Sequence, residues 1–301
     1  MTIPDPVSET FSDVLALRGE RVGRGLIEFG IYDRGGTPCG DTRIVTDRYT
    51  TVTKDQLGRW PDDVADGPAL SVYAGMAPDQ FGHVILRSLG RLWAADDLPA
   101  ETPLLFQARA RPATIVFLRP ILDLLGVPNP ILFYAAPIRL PRVIVPNDQF
   151  GEAYGGLAAP RFKDWIAERL PATAPITSGR KVYLTRTAMG RNMGRTACEE
   201  VLEENLLAEG YEIIAPETLS LSAQVELYQS AETLLFAESS ALHLYGLVKR
   251  PGQKVGVVAR RRALPPLITT QLVALDPAPV DIFDAIERLE YPPWRADNIA
   301  V

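Results

Sequence analysis

Three short segments of this sequence concentrate residues able to hold an anion or move a proton. The first is Thr185-Arg186-Thr187-Ala188-Met189-Gly190-Arg191-Asn192-Met193-Gly194-Arg195. It sets Arg186, Arg191 and Arg195, with two glycines, between an apolar run and a helical pattern. Guanidinium forks pair with phosphate oxygens, and open backbone N–H groups at a helix start favour negative charge, so the segment suits a diphosphate clamp. An ordinary exposed, arginine-rich loop is the plainer alternative. The second segment is Ala237-Glu238-Ser239-Ser240-Ala241-Leu242-His243. Ser239 and Ser240 at a helix start either cap it or leave its N–H groups open to a phosphate. Glu238 is a candidate acceptor for a ribose diol, and His243 reads more simply as a structural hydrogen-bonding residue than as a catalyst. The third is Asp79-Gln80-Phe81-Gly82-His83. A carboxylate and an imidazole four apart can share one face of a helix start. Either can take a proton from a hydroxyl once its surroundings tune it. The alternative makes Asp79 a helix cap and His83 a half-buried packing residue.

The elements that must position these segments follow from apolar periodicity. Strands are expected at 26–32 and 49–53, and a helix over 81–96, where Val84, Leu86, Leu89, Leu92 and Trp93 recur at helical spacing. A buried strand follows at 103–107, a helix over 113–126 ended by Gly126, and short strands at 131–133 and 142–145. The glycine-rich stretch 151–156 is the best linker. Beyond it the alternation is cleaner. Helices are expected at 161–170, 196–209, 222–230 and 240–248, and strands at 181–185, 211–214, 233–236 and 254–258. Strands separated by helices of about ten residues imply a parallel, doubly wound α/β sheet, whose ligands sit at the carboxyl ends of the strands. The last apolar segment, 280–289 with Tyr291-Pro292-Pro293-Trp294, reads as a helix and tail bracing the two domains, or as a plain surface helix.

Bulk properties narrow the function. At 301 residues, 47% hydrophobic and 23% charged, the chain can build two domains with ordinary cores. Its net charge of −6 excludes a general electrostatic nucleic-acid binder, so any anion is held by local arginines. Two cysteines, Cys39 and Cys198, and two histidines rule out a disulfide scaffold and a histidine-rich metal site. The start lacks a basic and apolar signal-peptide pattern, and no run reaches the roughly 18–20 apolar residues of a membrane helix. A cytoplasmic place is expected, including the inner face of a membrane. Five lysines against 26 arginines, with abundant alanine and proline, fit a GC-rich bacterial source. There is no GxGxxG after a strand, no Walker loop, no GxSxG elbow and no HExxH, which weighs against dehydrogenases, P-loop kinases, common esterases and zinc proteases.

Taken in order, the segments resemble glycosyltransferase family 61, a group associated with capsular polysaccharide synthesis. The landmarks are Gly82-His83 with Arg91-Leu92-Trp93, then the strand ending Thr185-Arg186 with its arginine loop. Gly210-Tyr211-Glu212-Ile213-Ile214, Glu217, Leu219-Ser220 and Gln224 follow, and after Ala231-Glu232 comes Ser239-Ser240-Ala241-Leu242-His243. The resemblance runs from Asp79 to Val258. It implies an inverting, metal-independent transfer from a nucleotide-sugar donor to a glycan or lipid-linked glycan acceptor, on two Rossmann-like domains facing a cleft in the GT-B manner. The implied domains are residues 1–155 for the acceptor, 156–275 for the donor, and 276–301 as the bracing tail. His83, with Asp79 as second choice, is the base expected from the residues themselves. Arg186, Arg191, Arg195, Ser239 and Ser240 are implied to hold the diphosphate, and Glu217 and Glu238 the nucleotide. No cofactor is implied. The sequence departs from the family twice. Arg87 stands four residues after the helix histidine, where family members often carry a carboxylate, and the turn often written His-Gly-Ala-x-Leu reads Glu238-Ser239-Ser240-Ala241-Leu242. Arg87 feeds a second reading, a non-catalytic carbohydrate- or nucleotide-sugar-binding scaffold. A sugar-nucleotide epimerase is a third.

Overall fold

The computed structural model describes all residues except 1, 18–19, 24–25, 43–49, 53–56, 58–59, 61–62, 109–110, 135, 190–193, 195, 262 and 285–301. The chain divides into two compact units, Met1–Arg169 and Leu170–Val301.

The first unit contains β1 (Ser8–Ala16), β2 (Glu20–Gly23), β3 (Leu26–Glu28), β4 (Ile31–Tyr32), β5 (Thr50–Val52) and β6 (Ala65–Asp66). Then come β7 (Ser71–Ala77), α1 (Phe81–Ser88), β8 (Leu104–Ala108), α2 (Leu118–Leu124), β9 (Ile131–Tyr134), β10 (Ile138–Pro146) and α3 (Pro160–Arg169). The main sheet runs β4-β1-β10-β7-β8-β9 with β6 beside β10, and β2-β3-β5 form a small second sheet. The expected parallel βα units are present: β10, β7, β8 and β9 are parallel neighbours. The sheet as a whole is mixed, because β1 lies antiparallel along the full length of β10 and β4 antiparallel to β1. All seven residues of β7 are buried, as a central strand covered on both faces requires.

Several elements differ from the sequence pattern for local reasons. The helix expected over 81–96 stops at Ser88 and resumes as a 3-10 turn, Leu92–Ala95. Gly90 lies in the gap, where a Cβ would overlap Asp148 Oδ1 and the carbonyl of Phe150, so the loop after β10 occupies the space a continuous helix would fill. The helix expected over 113–126 is a 3-10 turn at Pro112–Thr114 followed by α2, and Gly126, at φ +64°, closes it as anticipated. The expected strand 26–32 is split between β3 and β4, in different sheets. The glycines at 151–156 form a turn folded against α1 inside the first unit. Gly151, at φ +108°, allows the carbonyl of Leu86 to approach where a side chain would collide.

The second unit contains β11 (Thr177–Leu184), α4 (Glu199–Ala208), β12 (Tyr211–Ile214), α5 (Leu221–Ser230) and β13 (Ala231–Ala237). It continues with α6 (Ala241–Val248), β14 (Lys254–Val258), α7 (Pro266–Ala274) and β15 (Asp281–Phe283). Its sheet is parallel throughout, in the order β12-β11-β13-β14-β15. Right-handed crossovers in that order put α4 on one face and α5, α6 and α7 on the other. The packing of α6 on both α5 and α7 agrees. The helix expected from residue 196 begins only at Glu199, because Cys198 stands in the left-handed region at φ +58°. The helix expected over 280–289 is corrected for its first residues: 281–283 form β15 beside β14. Glycine at 256 makes that edge available, since a Cβ there would lie 2.6 Å from the Phe283 ring. The rest of that segment, with Trp294, lies outside the described residues. No helix among the described residues is long and apolar enough to cross a membrane.

Candidate functional site

In the second unit the chain leaves β11 for β12 on one side, then returns to β13 on the other. The carboxyl ends of β11 and β13 therefore flank the point where strand order reverses, which is where open parallel sheets bind ligands. Leu184 pairs with Phe236 and Ala237 with Val258, so the loops following β11, β13 and β14 emerge side by side.

Arg186 leaves the β11 end almost fully buried, at 6% exposure. Its backbone N–H donates to Glu199 Oε1 at 2.8 Å, and its Nη2 to the Gly194 carbonyl at 3.0 Å. Burial pulls its pKa down, as does Arg261, against the opposing charges of Glu199, Glu217 and Glu238. Glu199, 1% exposed in the first turn of α4, also accepts from Tyr183 Oη and Thr185 Oγ1, both at 3.0 Å. Its Oε2 has no partner among the described residues. A buried carboxylate thus fixes the strand end and supplies countercharge to Arg186.

Glu238, 1% exposed at the β13 end, faces the β14 loop. Its Oε2 accepts the Arg260 N–H at 3.0 Å, and its Oε1 lies 2.5 Å from Arg261 Nε. Its backbone carbonyl accepts Arg260 Nε at 3.1 Å. Burial and the nearby Arg186 bring the Arg260 pKa down to about 10. Ser239 is half-buried and Ser240 exposed. Neither caps α6: Ser240 occupies the N-cap position without a side-chain capping bond. The first α6 turn closes instead through the backbone, Leu242 N–H to Ser239 O and His243 N–H to Ser240 O. His243 is buried, with Nδ1 2.5 Å from Gln271 Oε1, while Gln271 Nε2 donates to the His243 carbonyl at 2.9 Å. Burial lowers its pKa. It joins α6 to α7, the plainer of the two expectations. Glu217 is exposed in the 3-10 turn after β12. Arg191 and Arg195 lie outside the described residues.

The first unit has its own reversal of strand order. From β7 the chain builds outward through β8 and β9, then returns as β10 on the opposite side of β7. Asp79 lies exposed in the turn between β7 and α1. The N-cap position is Gln80, without a side-chain capping bond, so Asp79 does not cap the helix. His83 is half-buried in the first turn of α1. One turn on, Arg87 forms a nearly buried two-point ion pair with Glu152: Nη2 to Oε1 is 3.0 Å, and Nε contacts Oε2. Arg91 donates to the carbonyls of Asp41, at 2.7 Å, and Pro146, and stacks on Tyr73. Asp148 Oδ2 is 4.0 Å from Arg91 Nε, and burial pushes its carboxyl up. Gly75, Leu86, Arg87, Arg91, Asp148 and Glu152 line a small pocket.

Sequence reasoning missed Arg260 and Arg261, although three consecutive arginines directly after a predicted strand were a visible signal. It also missed Glu199, Asp148 and Glu152, which carry no local signal. Among the described residues no group of three or more His, Cys, Asp or Glu side chains could hold a metal ion. Residues 81–253, more than half of the chain, match the family model described as Glycosyltransferase 61. No curated protein matches the sequence.

Proposed function

Since the chain belongs to glycosyltransferase family 61, we propose that it is an inverting transferase moving a sugar from a nucleotide-sugar donor to a glycan or lipid-linked glycan acceptor. The GT-B scheme assigns the donor to the second unit and the acceptor to the first. The observation that carries this reading is the reversal point of the parallel sheet. It gathers Arg186, the uncapped start of α6 and the Arg260-Arg261 pair, largely within the matched segment.

The acceptor hydroxyl gives its proton to His83, with Asp79 as the second candidate, while its oxygen attacks the anomeric carbon. The bond from that carbon to the donor's diphosphate breaks in line, so configuration inverts. Arg186, Arg191 and Arg195, with the N–H groups and hydroxyls at Ser239 and Ser240, neutralise the departing diphosphate without a metal. Preplaced donors of this kind are each worth about 3 kcal/mol in the transition state. Glu217, exposed beside the crevice, is the carboxylate left for the ribose, since both Glu238 oxygens already face arginine. Capsule or exopolysaccharide synthesis in a bacterium, at the cytoplasmic face of a membrane, is the setting that fits the composition.

Thermal shift against a panel of nucleoside diphosphates and nucleotide sugars, with and without magnesium, tests the donor site. Stabilisation by one nucleotide, equal with and without metal and lost in Arg186→Ala, is expected. No stabilisation at millimolar concentration by any of them sinks it. The Arg87–Glu152 pair favours one second reading, a non-catalytic relative, because the position where the family often carries a carboxylate holds an arginine locked in an ion pair. Transfer, or slow donor hydrolysis, that is lost in His83→Ala while nucleotide binding persists decides for the enzyme. Donor conversion that ignores the acceptor points to an epimerase.

A further inference from the structure

Glu238 grips Arg260 twice and Arg261 once. Its Oε2 takes the Arg260 N–H at 3.0 Å, its carbonyl takes Arg260 Nε at 3.1 Å, and its Oε1 pairs with Arg261 Nε at 2.5 Å. With Nε committed, the Arg260 guanidinium is fixed in orientation. Its two terminal amino groups have no protein partner among the described residues. The Arg186 and Arg261 guanidinium groups lie near enough to Arg260 to lower its pKa, and two buried carboxylates, Glu199 and Glu238, stand beside them. Arg260 and Arg261, half-buried at the crevice, present preoriented guanidinium donors that an anion can bridge. A ribose diol needs a carboxylate oxygen with accepting capacity and access, and Glu238 is sealed at 1% exposure.

We infer that Glu238 is a positioning residue: it does not bind the ribose but sets Arg260, with Arg261, as a fork for the phosphate oxygens of the donor's diphosphate. The inference rests on the donor reading above. It adds a second wall to the phosphate site, on the β14 side, opposite Arg186.

Calorimetric titration of the full-length protein with the stabilising nucleoside diphosphate, and with its 2′,3′-dideoxy counterpart, separates the two roles of Glu238. Glu238→Gln is expected to weaken both ligands by the same factor, about tenfold, the worth of one charge-assisted contact. Arg260→Met is expected to do the same, and the double variant to lose little more, because the Glu238 carboxylate holds the Arg260 backbone and the Arg261 guanidinium on which that fork is built. Arg260→Met also guards against a Glu238 variant that fails to fold, which a thermal melt identifies. The inference is overturned if Glu238→Gln erases the preference for the ribose over the dideoxy ligand, or if Arg260→Met binds both like the parent. Absence of nucleotide binding by the parent protein instead removes the donor reading itself.

Discussion

The imidazole of His243 is closed off by Gln271, whose Oε1 accepts the Nδ1–H and whose Nε2 donates to the His243 carbonyl. Burial holds its folded pKa below the ordinary value, so the native state keeps it neutral where the unfolded chain takes up a proton. The sign follows from proton uptake: stability contributed by this site is intact above about pH 6.5 and falls as pH drops below it. Urea unfolding at pH 7.5 and 5.5 is expected to show a loss on acidification that is larger in the parent than in His243→Leu by about 1 kcal/mol. Parallel pH slopes in the two proteins refute this role. Glu199 is the complementary case, a residue that reads as an ordinary first-turn acid of a surface helix. Only the fold shows that it is buried under Tyr183, Thr185 and Arg186.

At the level of elements, two glycines with positive φ separate conformational need from steric need. Gly126 ends α2 at φ +64° with open space where a Cβ would stand, whereas a Cβ on Gly151 would collide with the Leu86 carbonyl of α1. Gly126→Ala should therefore cost about 1–2 kcal/mol, the backbone strain alone. Gly151→Ala adds overpacking and should cost about 3 kcal/mol or more. Chemical denaturation of both variants checks this, and equal losses would mean the turn yields freely. The same close approach explains an element the pattern misjudged, since the loop after β10 at Gly90 cuts the helix predicted over 81–96. The pattern passed over β7 entirely. Its Ser, Ala and Gly positions have low strand propensity, yet a central strand covered on both faces has room for small residues.

At the level of the molecule, the two units predict separable ligand footprints. Hydrogen exchange with the stabilising nucleoside diphosphate should slow amides at 185–189, 238–243 and 259–261, the loops at the carboxyl ends of β11, β13 and β14. Protection confined to 79–91 in the first unit would reverse the assignment of donor and acceptor. The alternation of strands and helices after residue 177 was legible in the sequence, as was the end of α2 at Gly126. So was the placement of His83 in a helix and of Arg186 and Ser239 in loops at strand ends. Periodicity, glycine stops and short motifs are local, and the residues that express them lie within a few positions of one another. The partners within the sites were not local. Glu152 meets Arg87 across 65 residues, and Glu238 meets Arg260 across 22. Those encounters depend on strand order: β13 between β11 and β14 aligns their three loops, and β10 beside β7 brings its following loop onto α1. Sheet order is decided by which buried faces pack together over the whole chain, so only the tertiary structure could bring Arg186, Glu238 and Arg260 into one crevice.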